Sequence, residues 1–389
     1  MKSVIKATFN KVNSIVNKKK TVFLPNVFNK AYEQKVLVSY IIAPFTVGLS
    51  DSHTNYTECY TACQIFDELG FVVDVVEYDK YDEVINYEDY AVIYGFGESF
   101  ERLFYSNRHS QSIKKIVYGT GCDTVFSNKV SLERVTDFFE KEKLLCISSS
   151  RLALATWRCQ IVFADLVIAL GNDFVADTYK EYNINTVEPI SIFFKSSCLV
   201  DLDKKDFAAS KRNFLWWGSA GAIHKGLDLI VQLFAKRPDI NLYICGYRNE
   251  FPFDEYLAQI LSQNANITNV GFIDVGSAQH AHLLESCVAT LLPSASEGGS
   301  PGIVNSCGNA GLIPIITKNC GVDVPDEAQQ FILDDLKVNS LEDKIDLLLS
   351  LDTNVIKKIS TVTQAYFQQE HDFVKYKSKL KSLISTVVI

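Results

Sequence analysis

The chain predicts an α/β protein built from two doubly wound domains in tandem, each a parallel sheet wrapped by helices. Three observations carry that reading. With 389 residues, the chain exceeds what one ordinary core holds and suits two domains of roughly 150–200 residues each. Short apolar runs ending in Gly or polar residues alternate with stretches of helical period, the pattern of strands joined by crossover helices. The alternation occurs twice, on either side of the polar connector SSCLVDLDKKDFAASKR at 196–212.

The elements follow in order. Residues 1–34 form a basic amphipathic arm. Val4, Ile5, Phe9, Val12, Ile15 and Val16 recur at helical spacing among lysines, as a helix lying on an anionic membrane surface through residues 1–20, as a frayed or crystal-ordered extension, or as a helix packed on its own protein. Residues 35–200 are the first domain. KVLVSYIIAPF opens it as a strand, residues 55–69 form a helix with Asn55 and Glu58 at capping-box spacing, and Gly70 ends that helix. FVVDVVEY, YAVIYGF, KKIVYGT and ADLVIALGN are further strands. Residues 201–366 repeat the grammar: FLWWGS is a strand, 225–235 a helix, INLYICG a strand, 254–263 a helix, then ITNVGFID, VATLLPS and IPIIT as strands. The tail from 341 is helical, and 367–389 is expected to cross back to the first domain.

Composition narrows the class. Hydrophobic residues make up 47% and charged residues 22%, ordinary for a soluble globular chain. No apolar run reaches the roughly 18 residues of a spanning helix, and the first twenty residues lack a signal-peptide core. The ten cysteines are scattered without a CxxC pair, which suits reduced thiols in a cytoplasmic protein and no metal site. Net charge is −8, with seven lysines and no acid in residues 1–32. An acidic body with a basic arm does not look like a nucleic-acid binder, which spreads basic charge over its docking face.

In open parallel sheets, ligands bind beyond the carboxyl ends of the strands. Two post-strand segments carry the pattern of an anion site. In Phe214-Leu-Trp-Trp-Gly-Ser-Ala-Gly-Ala-Ile-His-Lys-Gly, Gly218 and Gly221 let backbone approach a phosphate and Lys225 offers a cation, the alternative being a plain turn with a surface lysine. In LLPSASEGGSPGIVNSCGNAG, Ser300 and Pro301 read as a cap and first helical residue. The amides of Gly302, Ile303 and Val304 would then face an anion on the helix dipole. Glu297 precedes that helix on a glycine-flexed loop, either as an acceptor for sugar hydroxyls or as a solvated surface acid.

These segments resemble the donor-binding signature of GT-B glycosyltransferases of family 4, or group 1. HKGLDLIVQLF, LYICG and PSASEGGSPGIVNSCGNAGLIPII stand in the family order; the second half matches with good spacing and the first more loosely. The resemblance implies two Rossmann-like domains facing a central cleft, and a nucleotide-diphospho-sugar as donor. Lys225 would hold its diphosphate, Glu297 the transferred sugar and Asn305 the ribose. Gly218, Ser219, Gly221, Gly298, Gly299, Ser300, Pro301, Gly302 and Ile303 complete the implied donor site. Two positions depart from the pattern: Ser219 replaces the usual arginine and Asn305 the usual second glutamate.

On the acceptor side, His53 in HTNYTE resembles the family's segment after the first strand, and acts near the reaction centre or caps the helix. Asp123 stands where the family often has a histidine, and positions an acceptor hydroxyl or caps the next helix. Gly171 and Asn172 are expected to line the cleft. The reading is a retaining transfer to a glycan or lipid-linked acceptor in bacterial surface-polysaccharide synthesis. It is expected to need no metal and no cofactor, and to take place in the cytoplasm or on the inner face of the membrane. A catalytically impaired binding scaffold and a nucleotide-sugar epimerase are the alternatives.

Overall fold

The computed structural model describes residues 22–50, 53–80, 85–105, 112–183 and 185–389. The basic segment 1–20 lies outside the described residues. Seven strands form the first sheet: β1 (Phe23–Leu24), β2 (Gln34–Tyr40), β3 (Phe71–Glu77), β4 (Val92–Gly95), β5 (Lys114–Gly119), β6 (Leu166–Leu170) and β7 (Thr186–Ile190). Their order is β1-β3-β2-β4-β5-β6-β7, parallel except for the antiparallel edge pair β1–β3. The second sheet comprises β8 (Asn213–Trp217), β9 (Asn241–Cys245), β10 (Ile267–Gly271), β11 (Ala289–Leu292) and β12 (Ile313–Ile316). It runs β10-β9-β8-β11-β12 and is parallel throughout.

The strands are apolar in unbroken runs because helices cover both faces. Val36, Leu37 and Val38 point alternately to opposite sides of the sheet, yet all three are fully buried. Chain order reverses between β2 and β4 in the first sheet and between β8 and β11 in the second. Those reversals splay the crossover helices apart and open a crevice at the carboxyl ends of the flanking strands.

Local details depart from expectation where a side chain found a better partner. The first apolar run stops at Tyr40, and Ala43–Thr46 forms a helical turn with Pro44 at its start. Asn55 and Glu58 do not form a capping box. The Asn55–Glu68 helix has no side-chain cap from its N-cap residue Thr54; the His53 ring accepts the Asn55 N–H at 3.1 Å instead. Glu58 turns inward to accept the hydroxyls of Tyr40 (2.9 Å) and Tyr118 (3.1 Å). The edge strands β1 and β7 went unanticipated, one being two residues long and the other carrying Pro189.

The domains are joined at several depths. The Arg134 guanidinium, on the Thr124–Glu142 helix, meets both oxygens of Asp228, on the Leu227–Phe234 helix, at 2.9 and 2.7 Å. Phe138 packs edge-on against Phe253 and Tyr256. The last helix, Phe373–Val388, leaves the second domain to pack on the first sheet, where the Tyr376 and Tyr118 hydroxyls lie 3.0 Å apart. Lys377 and Lys381 on the same helix pair with Glu68. Among the described residues no helix is long and apolar enough to cross a membrane. All ten cysteines are unpaired thiols, eight of them buried. Burial pushes Cys287 up to about 12, which leaves little of the reactive thiolate.

Candidate active site

A cavity of about 830 Å³ lies between the two sheets. Loops after β2 and β5 supply His53 and Gly119–Asp123, and loops after β8 and β11 supply Gly218, Ser219 and Ser296–Gly298. The cavity therefore occupies both crevices, as the strand order dictates.

Its chemical centre is Glu297. The Glu297 N–H donates to Asn319 at 2.8 Å, which fixes the loop after β11. One carboxylate oxygen accepts the Lys225 ammonium and the Ser294 hydroxyl, the latter at 3.1 Å. The other accepts Nη1 of Arg151 at 2.9 Å. Glu297 is only 8% exposed, so it is not a solvated surface acid. Burial by itself would raise its pKa, but the charges of Lys225 and Arg151 outweigh burial and hold it at about 2. Lys225 is buried as well, which pulls its pKa below the usual lysine value against the opposing charge of Glu297.

His224 sits beside this pair with its Nε2 2.7 Å from the Ser296 carbonyl. Burial lowers its pKa from 6.5 to about 4, so at neutral pH the ring is uncharged and Nε2–H donates. Its Nδ1 has no hydrogen-bond partner among the described residues. The sign of the pH dependence follows. Between pH 6.5 and 4 the unfolded chain binds a proton at His224 that the folded chain refuses, so stability falls as pH drops through that window. Glu297 extends the loss, since its stabilisation is present above the ordinary 4.5 and disappears as pH falls toward about 2. We expect His224→Gln to flatten the upper limb of a melting-temperature profile, removing on the order of 3 kcal/mol of pH dependence. A profile unchanged between pH 6.5 and 4 would show that His224 is not the group titrating.

The phosphate-binding expectation needs correction at several atoms. Gly218, Ser219, Lys225, Glu297, Gly298, Ser300, Pro301, Gly302 and Asn305 line the cavity, whereas Gly221, Gly299 and Ile303 do not. The Gly221 and Ala222 amides are already taken by the Glu250 carboxylate. Gly218 is required by packing, because a Cβ there would lie 2.3 Å from the Trp216 ring. Ser300 takes a left-handed φ of 37° and makes no side-chain cap; its hydroxyl donates to the Cys320 carbonyl at 2.9 Å. The Ile303 and Val304 amides both donate to the Ser300 carbonyl, which leaves Gly302, a cavity-lining residue, as the one of the three whose amide is not spent there. Asn305 is committed to structure: it accepts the Lys195 N–H at 2.9 Å and donates to the Pro301 carbonyl at 2.8 Å.

On the acceptor side His53 lines the cavity, and its Nδ1 accepts the Asn55 N–H at the start of the helix. Asp123 also lines the cavity, fully buried. One oxygen caps the Thr124–Glu142 helix at Val125 (2.9 Å) and the other pairs with Arg158 at 2.6 Å. Asn172 points elsewhere, to Asp323 at 2.8 Å, and neither it nor Gly171 lines the cavity. Arg151 was missed because it stands in an irregular loop of the first domain, 146 residues before its partner. The one available hint was RLALATWR, two arginines close together in an acidic body.

Two parallel, doubly wound domains with a cavity between the carboxyl ends of their sheets define the GT-B fold. The second domain carries a family match: residues 201–364 are similar to glycosyl transferases group 1. Solved structures of low identity share the fold over about nine-tenths of the chain. Sucrose-phosphate synthase from Thermosynechococcus elongatus superposes with a TM-score of 0.63 at 12% identity, over 91% of this chain and 99% of that one. HepE of Anabaena, solved with UDP, gives 0.60 at 14%, over 91% and 100%. A glycosyltransferase from Rickettsia africae gives 0.57 at 12%, over 92% and 99%. No curated protein sequence matches the chain.

Proposed function

We propose that the chain transfers a sugar from a nucleotide-diphospho-sugar to a hydroxyl of a glycan or lipid-linked acceptor, with retention, in the assembly of a bacterial surface polysaccharide. The observation that carries the reading is the Lys225–Glu297 pair, buried where the crevices of both sheets meet. An incoming diphosphate competes with Glu297 for the Lys225 ammonium. Once Lys225 turns to the phosphates, the Glu297 carboxylate is left facing the cavity as an acceptor for sugar hydroxyls. Negative charge that develops on the leaving diphosphate meets Lys225 and the Gly302 amide at the helix start, groups fixed before the reaction. The enclosing loops of the two domains keep water from the donor. HepE of Anabaena has been solved with UDP-glucose, which supports a nucleotide-sugar donor here.

The test is incubation of the full chain with a panel of nucleotide sugars, with products read by mass and anomeric configuration by NMR. Slow donor hydrolysis or transfer supports the reading, and an inverted product removes the retaining part. Because Lys225 and the helix start do the work of a cation, excess EDTA is expected to leave the rate unchanged; loss of activity restored by Mg²⁺ would refute this. The commitment of Asn305 to Lys195 and Pro301 favours one second reading, a binding scaffold. Nucleotide binding without turnover on the same panel is its signature.

A further inference from the structure

The charges at the centre of the cavity do not balance. Glu297 contributes one carboxylate, while Lys225 and Arg151 both reach it, and His224 beside them is neutral at pH 7. Lys225 is buried, but the Arg151 side chain is 45% exposed and lines the cavity. Only Nη1 of the guanidinium is used, on Glu297. Its remaining N–H donors have no protein acceptor among the described residues, and their planar fork matches phosphate oxygens.

The arginine is built into this position. Its N–H donates to the Ser131 hydroxyl at 2.9 Å. Two residues on, Ala153 exchanges a pair of 2.8 Å bonds with the Asn128 side chain. Two residues earlier, the Ser149 carbonyl accepts the His224 N–H at 3.1 Å, tying the loop to the second domain. Opposite the side chain stands Gly221, at φ +89°, where a Cβ would come within 2.3 Å of Arg151 Cγ. The loop after β8 thus leaves a notch through which the arginine of the other domain passes. That loop carries no cation ahead of Lys225: position 219 is serine and His224 is neutral.

We propose that Arg151 binds the donor diphosphate from the first domain, as the second cation beside Lys225. The site is then complete only when both domains are in place, and charge on the leaving group is met by both cations only in the closed arrangement. The inference rests on the nucleotide-diphosphate reading above and adds to it a phosphate contact outside the family-matching residues 201–364.

The experiment is calorimetric titration of the full chain, wild type and Arg151→Gln, with UDP, GDP and ADP and with the corresponding nucleosides. Wild type binding at least one diphosphate is the check on the functional reading; binding of none overturns that reading and the inference together. For the diphosphate that binds, Arg151→Gln is expected to weaken affinity about 10- to 100-fold, the range for a lost charge-assisted hydrogen bond, with nucleoside affinity within about twofold. Wild-type diphosphate affinity in Arg151→Gln would overturn the inference alone. So would equal losses for diphosphate and nucleoside, which would mark Arg151 as merely structural. A melting temperature measured on each variant confirms that the half-exposed side chain is not needed for folding.

Discussion

Lys225→Met is expected to lower turnover by about 10²- to 10³-fold, the usual cost of removing one fixed group that stabilises charge in a transition state. Methionine keeps the buried aliphatic volume and removes only the ammonium, so the loss reports charge and not a cavity. Glu297 keeps its bonds to Arg151 and Ser294, and the fold should survive. With one of its two cations gone, the Glu297 carboxyl is released from about 2 toward the ordinary value of 4.5. Donor affinity should fall together with kcat, because Lys225 meets the diphosphate in both the ground and the transition state. Steady-state kinetics with the best donor of the panel make the check. Unchanged kcat and KM would sink the assignment.

The largest effect on stability is expected at the Arg134–Asp228 pair, which joins the two domains with side chains only 5% and 3% exposed. Arg134→Ala leaves the Asp228 carboxylate buried with no cation. Such removal of one partner costs about 3–5 kcal/mol. Burial already pushes the Asp228 pKa up, with Arg134 opposing; without the arginine it is expected to rise further. Replacing both residues with apolar ones, Arg134→Met with Asp228→Leu, should recover most of the loss, since no charge is then stranded. Thermal unfolding of the two single variants and the double variant decides it. Single-variant losses below about 1 kcal/mol would show that water reaches the pair.

The two domains were legible because their signal is local and repeated. Each buried parallel strand must be apolar on both faces, so KVLVSY and INLYICG announce themselves without knowledge of their neighbours. The two post-strand segments were legible for a related reason: glycines, Lys225 and Glu297 stand next to strand ends in sequence, and strand ends in a parallel sheet gather at one edge. Short edge strands were not legible. Two residues at Phe23–Leu24 hold no periodicity, and Pro189 argues against a strand wherever its position in the sheet is unknown.

The exact use of each donor and acceptor was decided only by tertiary structure. A free helix-start amide in the sequence is a free amide in space only if no closer acceptor exists, and the Ser300 carbonyl took two of them. The Gly221 amide looked ready for phosphate until Glu250 arrived from the loop after β9. Asn305 spends its amide on holding the Lys195 backbone N–H, just before the connector. Arg151 is the counterpart: position 219 is serine, yet a second cation reaches Glu297, brought across 146 residues by domain docking. What the sequence determined by itself was the sheets and the edge on which chemistry occurs, because hydrophobic periodicity and chain order dictate both. Which charges face each other across the cleft depended on how two independently patterned surfaces came to rest, and electrostatic partners carry no period.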